Sequence, residues 1–143
     1  MKKLLIAAII SLSSISTAAL AEIKVGIILG FTGPIESLTP AMRDGAKLAF
    51  LEASNSGNLL GGETFTILEA DSTCVDSAAA TAAAEQLVAD GVSAIMGADC
   101  SGVTGAINAN VAVPNGVLMV SPSATSPGLS KIADNGTFWR TAP

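Results

Sequence analysis

Residues 23–29 form an almost continuous apolar run, interrupted only by Lys24 and closed by Gly30. A short run of this kind, rich in Val and Ile, predicts a buried strand followed by a turn over 30–34. The period then lengthens. Met42, Ala46, Ala49, Phe50 and Ala53 share one helical face, and Thr39 followed by Pro40 supplies a cap and a first helical residue. A glycine-rich turn over 55–62 ends that helix, and a second strand is expected over 65–70. Asp76 is placed to cap a second helix, whose Ala80, Ala84, Leu87 and Val88 face inward and whose end is marked by Gly91. Residues 93–97 predict a third strand. Residues 102–111 predict a third helix, with Val103, Ile107 and Val111 at i, i+4 and i+8. A fourth strand is expected over 116–120, a polar loop over 121–126 and a fifth strand from 138 to 141.

Strands that alternate with helical crossovers predict an α/β fold, a parallel sheet with helices on both faces. The alanine-rich stretch 78–84 reads as a close-packing helix, and no internal repeat is visible. After the fifth strand the sequence ends at Pro143 with no closing helix. The expectation is a piece of a longer protein, with 22–143 forming an incomplete N-terminal α/β lobe.

The first 21 residues have a different character. Lys2 and Lys3 precede an apolar run, and Ala19-Leu20-Ala21 places small residues where a signal peptidase reads them. This is the pattern of a secretory signal peptide cleaved after Ala21. The uninterrupted run is too short to cross about 30 Å of hydrocarbon, and no cysteine follows the cleavage site. The expected mature chain is exported and not inserted in a membrane. Without Lys2 and Lys3, its net charge is −7. Such a balance disfavours nucleic acid and anionic membrane surfaces as partners.

The two cysteines, Cys74 and Cys100, form an even pair in an exported chain. A disulfide is the expected state, with two free buried thiols as the alternative. Ligands of open α/β sheets bind beyond the carboxyl ends of the strands. Two loops there carry candidate chemistry. Ser101 opens the third helix, where its hydroxyl and the free backbone N–H groups suit a carboxylate; taken by itself it better fits a plain helix cap. Ser121-Pro122-Ser123-Ala124-Thr125-Ser126-Pro127 offers hydroxyls and backbone groups without charge, which fits a neutral or zwitterionic solute or an ordinary exposed turn.

These segments together resemble the N-terminal part of the periplasmic branched-chain amino-acid-binding proteins, the leucine/isoleucine/valine-type receptors of ATP-driven importers. The resemblance runs through Ile23-Lys24-Val25-Gly26, Thr32-Gly33-Pro34, Arg43-Asp44-Gly45-Ala46, Asp71 with Cys74, Gly97-Ala98-Asp99-Cys100-Ser101, Ser121-Pro122-Ser123-Ala124-Thr125 and Phe138-Trp139-Arg140-Thr141. It implies the first lobe of a type I periplasmic binding protein fold, in which two lobes close on a solute. It implies that Ser101 binds the solute carboxylate and that Ser123 offers its backbone carbonyl to the ammonium. Thr125 would contact the head group through its hydroxyl and backbone N–H, and Cys74 would pair with Cys100. One position departs from the family's pattern: where many relatives place an aromatic residue after Gly-Pro, the nearest residue here is Leu38.

The implied function is an extracytoplasmic solute receptor for an amino acid or related amide, with an importer's membrane permease as partner. No cofactor or metal is expected. A sensor module of a signalling system is the alternative on the same fold. An exported hydrolase is a third reading. The chain contains no histidine, so neither Ser101 nor Cys100 can form a nucleophile–histidine pair within it. Asp71 and Asp99, at strand ends, would otherwise suggest a metal-binding phospho-acceptor domain, but export and the cysteine pair disfavour that.

Overall fold

The computed structural model describes residues 22–59 and 61–143. The expected signal peptide lies outside the described residues. The chain runs β1 (Glu22–Leu29), α1 (Thr39–Asn55), β2 (Thr64–Asp71), α2 (Ser77–Ala89), β3 (Ala94–Gly97), α3 (Ser101–Ile107), β4 (Leu118–Ser121) and β5 (Phe138–Arg140). All five strands are parallel, in the order β2-β1-β3-β4-β5. The α/β fold with a parallel sheet read from the strand–helix alternation is therefore present.

The two faces of the sheet are covered unequally. On one side, α2 and α3 bury Ala80, Ala84, Leu87, Val103 and Ile107 with Ile28, Ile95 and Met119 of the strands. The inward residues expected for both helices are these, Val88 being half-buried. On the other side lies α1. Phe50 meets Phe65 of β2 edge to face at 5.0 Å, and the Ser54 hydroxyl accepts the Phe65 N–H and donates to the Phe50 carbonyl. Met42, Ala46, Phe50 and Ala53 are only half-buried, however, and Ala49 is exposed. Beyond α1, an apolar groove of about 450 Å³ runs over Ala94, Met96, Leu118 and Val120.

Three local expectations need correction. Thr39 does not cap α1. It lies inside the first turn, fully buried, and its hydroxyl donates to the Gly30 and Glu36 carbonyls. The third helix does not stop at Val111. It continues through a π-helical turn, Asn108–Ala112, and a last turn, Val113–Asn115. The widened turn precedes Pro114, whose ring would crowd the carbonyl four residues back in a regular helix. Consequently β4 starts two residues late: Gly116 closes the helix in the left-handed conformation and Val117 N–H bonds back to Ala112. Asp76 caps α2 as expected, its carboxylate accepting the N–H groups of Ala78 and Ala79.

Candidate functional site

The chain leaves β1 toward β2 on one side, and β3 starts the half of the sheet on the other side. That reversal opens a crevice at the carboxyl ends of β1 and β3, the place where ligands of such sheets bind. Four loops meet there, and buried side chains tie them together.

Asp99, 4 % exposed, is the central tie. Its Oδ2 accepts the Gly30 N–H at 2.7 Å, and its Oδ1 accepts the Ser72 hydroxyl at 3.3 Å and the Cys100 N–H at 2.9 Å. One carboxylate thus joins the loops after β1, β2 and β3. Gly30 allows the approach, since a Cβ there would lie 3.1 Å from the Cys74 Cβ. Cys74 and Cys100 are bonded to one another, with Cα atoms 5.2 Å apart. Thr73 and Cys74 both sit at positive φ, +56° and +70°. Neither is glycine, so this turn is strained and must be held by its surroundings; the disulfide and the Thr73 N–H bond to Asp71 hold it.

Asp71, at the end of β2, fixes the loop after β1. It accepts the Thr32 hydroxyl and the N–H groups of Thr32 and Thr73. Partial burial pushes its carboxyl up, but the Thr32 hydroxyl and the N–H groups of Thr73, Thr32 and Phe31 outweigh that and hold it below the ordinary carboxylate value. Asp71 and Asp99 therefore serve loop geometry. Among the described residues, no three His, Cys, Asp or Glu side chains converge as a metal site would require.

Ser101 is not the cap of α3. Cys100 holds the N-cap position and no side chain caps it. The Ser101 hydroxyl oxygen instead reaches to the loop after β4 and accepts the N–H groups of Thr125 and Ser126, at 3.1 and 3.0 Å. A hydroxyl has two acceptor positions and one proton. With both acceptor positions filled, Ser101 can serve a ligand only as a donor. The first bond within α3 runs from Thr104 N–H to Cys100 O, so the N–H groups of 101–103 precede the helical ladder. Ser123 turns its hydroxyl inward, onto the Asp99 carbonyl at 3.0 Å. The Thr125 side chain is exposed, and its N–H is committed to Ser101. The structure thus brings Ser101, Ser123 and Thr125 to one crevice wall beside the Cys74–Cys100 bond.

Two residues named in the sequence play a part in the site that the sequence does not show. Asp99 looks like a surface carboxylate at a strand end, yet it is the buried knot. Arg140, on β5, donates to the carbonyls of Ala124 and Ser126 and so clamps the loop on both sides of Thr125. The sequence marks Asp99 as a strand-end carboxylate and Arg140 as a charge in an apolar terminal strand, without showing what either binds.

A family profile described as periplasmic binding protein matches residues 22–143. The Leu/Ile/Val-binding protein BraC3 of Rhizobium johnstonii is 33% identical over 129 residues, 90% of this chain and 34% of that protein. The leucine-specific-binding protein of Salmonella typhimurium is 31% identical over 129 residues, with coverage of 90% and 34%. The crystal structure of the branched-chain amino acid transporter substrate binding protein LivJ from Streptococcus pneumoniae, in complex with isoleucine, superimposes with a TM-score of 0.74 at 31% identity. It covers 84% of this chain and 33% of that one. The chain thus spans about a third of the length of the curated relatives it matches.

Proposed function

Given that the chain belongs to the periplasmic binding protein family, we propose that it forms the N-terminal lobe of an extracytoplasmic receptor that delivers an amino acid, of the branched-chain type, or a related small amide to the membrane permease of an ABC importer. The observation that carries this reading is Ser101. Its oxygen is saturated by two backbone N–H groups, so its proton is the group it can offer, and a carboxylate or amide oxygen is what accepts it. The loops 98–102 and 121–127 contain no lysine or arginine. A solute anion is therefore held there by hydroxyls and backbone dipoles, which suits a compact zwitterion. Ser123 contributes its carbonyl to the ammonium, and Thr125 its hydroxyl to the head group. The printed names of the relatives, leucine- and Leu/Ile/Val-binding proteins, support that solute class.

The receptor works outside the cytoplasm. Residues 1–21 act as its signal peptide, and N-terminal sequencing of the periplasmic form is expected to begin at Glu22. Retention of Met1 there would overturn the export reading. Among the described residues, no helix is long and apolar enough to cross a membrane. We assign the lobe no catalytic step.

The test is a thermal-shift screen of the full-length protein against leucine, isoleucine, valine, other amino acids and small amides. A ligand at about 100 times its Kd adds about 2.7 kcal/mol of stability, a shift of several degrees. Stabilisation by a branched-chain amino acid or amide, lost in Ser101→Ala, is the expected result. No stabilisation by any amino acid or amide would overturn the reading.

A further inference from the structure

We propose that Arg140 is a positioning residue that makes the Ser101 site select a carboxylate over an uncharged amide. Its guanidinium acts through the Ala124–Thr125 peptide. The inference rests on the solute reading above.

Three links form the chain. Arg140 Nη1 donates to the Ala124 carbonyl at 3.1 Å. That carbonyl and the Thr125 N–H belong to one peptide group, and the Thr125 N–H donates to Ser101 Oγ at 3.1 Å. The Ser101 proton is then left for the solute. A donor on a carbonyl withdraws electron density from the same peptide's N–H, which becomes a better donor in turn. Such chains strengthen by about 10–30% per bond in low-dielectric surroundings. Arg140 also donates to the Ser126 carbonyl at 2.9 Å; that carbonyl belongs to the Ser126–Pro127 peptide and not to the peptide of the Ser126 N–H, the other donor to Ser101 at 3.0 Å, so this bond fixes the loop and adds no second link. Arg140 Nη2 donates to the Ser130 hydroxyl, which locks the fork in place.

The charge of Arg140 is not neutralised by a direct ion pair, although Asp134 lines the same pocket. Among the described residues, the ion pairs are Arg43–Asp44 and Lys47–Glu69, and none involves Arg140. The guanidinium is half-buried, and its hydrogen bonds all go to neutral oxygens of the loop segment 124–130. Its positive potential is therefore not cancelled by a directly paired carboxylate and extends along the loop toward the Ser101 proton. The flanking loops supply no cation of their own. A lysine could supply the charge but not the two separate nitrogens that reach the Ala124 and Ser126 carbonyls and the Ser130 hydroxyl together.

The experiment compares leucine with leucinamide as solutes of the full-length protein, by calorimetry, in wild type, Arg140→Gln and Arg140→Lys. Arg140→Gln is expected to weaken leucine about tenfold or more and leucinamide less than about threefold. Arg140→Lys falls between wild type and Arg140→Gln for leucine. A merely structural clamp would lower both affinities equally, and that result overturns the proposal. In the same proteins, hydrogen exchange at the Thr125 amide is read by NMR. Faster exchange in Arg140→Gln, relative to amides of β1 and β3, supports the relay, and unchanged exchange overturns it whatever the solutes do. A wild type that binds neither solute overturns the receptor reading, while the exchange result still decides the relay.

Discussion

Replacing Asp99 by asparagine tests whether one buried carboxylate holds the crevice together. The substitution keeps the shape of the side chain and changes one oxygen into an NH2 group. The two carboxylate oxygens face different donors. Oδ2 faces the Gly30 N–H, and Oδ1 faces the Cys100 N–H and the Ser72 hydroxyl. The Ser72 hydroxyl can rotate and accept, but the two backbone N–H groups cannot. Whichever way the amide is turned, one donor faces another. If the NH2 faces Gly30, a buried N–H is left without an acceptor. If it faces Cys100, the orphaned N–H is only partly buried and reaches water more readily, so this orientation wins. Leaving a buried donor unsatisfied costs about 1–3 kcal/mol. Asp99→Asn should therefore lower stability by about 1–3 kcal/mol. Asp99→Ala strands all three donors and should lose more, about 3–5 kcal/mol, near the upper end for single substitutions. Equilibrium urea unfolding of the oxidised protein, followed by circular dichroism, measures both. If Asp99→Asn stays within about 0.5 kcal/mol of wild type, the carboxylate is not the tie described here.

Four further outcomes are expected. Removing the Cys74–Cys100 bond by double substitution to serine frees a segment with a sequence separation of 26 and should cost about 3.5 kcal/mol on the chain-entropy account; unfolding with and without reductant checks it. Gly97→Ala should lose more than about 3 kcal/mol, because a Cβ there would lie 2.0 Å from the Ile28 carbonyl oxygen at φ +140°; a normal unfolding midpoint would contradict this. The folded pKa of Asp71 is depressed. Its contribution is thus complete above the ordinary carboxylate value and is lost as pH falls through the lower folded value, so the acid limb of a stability–pH profile should be flatter in Asp71→Asn. Ser101→Ala frees the N–H groups of Thr125 and Ser126 and should lower stability by about 1–2 kcal/mol, whereas Ser101→Thr, which keeps the hydroxyl, should stay close to wild type.

Local patterning made most of the fold legible. The i, i+4, i+8 spacing of Val103, Ile107 and Val111 required no knowledge of distant residues, and all three are buried. Asp76 announced α2 through a bond two residues away. Thr39 misled because its hydroxyl answers to Gly30, on the preceding strand's loop, and not to its own helix. The half-burial of α1 was equally hidden, since an apolar stripe states what a helix can bury and not how much surface meets it. In the site, Ser101 was visible as a polar residue at a strand end. Its role depends on Thr125 and Ser126, some two dozen residues later, a distance at which one sequence carries no pairing signal. The same holds for Asp99 and Gly30, which are 69 residues apart.

The strand order has a kinetic side. β1 is the first strand of the described residues, yet it lies inside the sheet, between β2 and β3. Ile27, Ile28 and Leu29 are inaccessible to solvent in the finished fold, but they leave the ribosome before any partner exists. The first residue of β3 is made about 65 residues after Leu29, roughly 3–13 s later at ~5–20 residues per second. Assembly can follow the order of synthesis, each new strand adding at a free edge of those already made, but β1 must wait for its second neighbour. Until β2 is made, β1 is open on both sides, and until β3 follows it stays open on one, the configuration that invites pairing with another chain. A holdase chaperone that covers residues 23–29 would therefore matter more than one that binds any later strand of the described sheet.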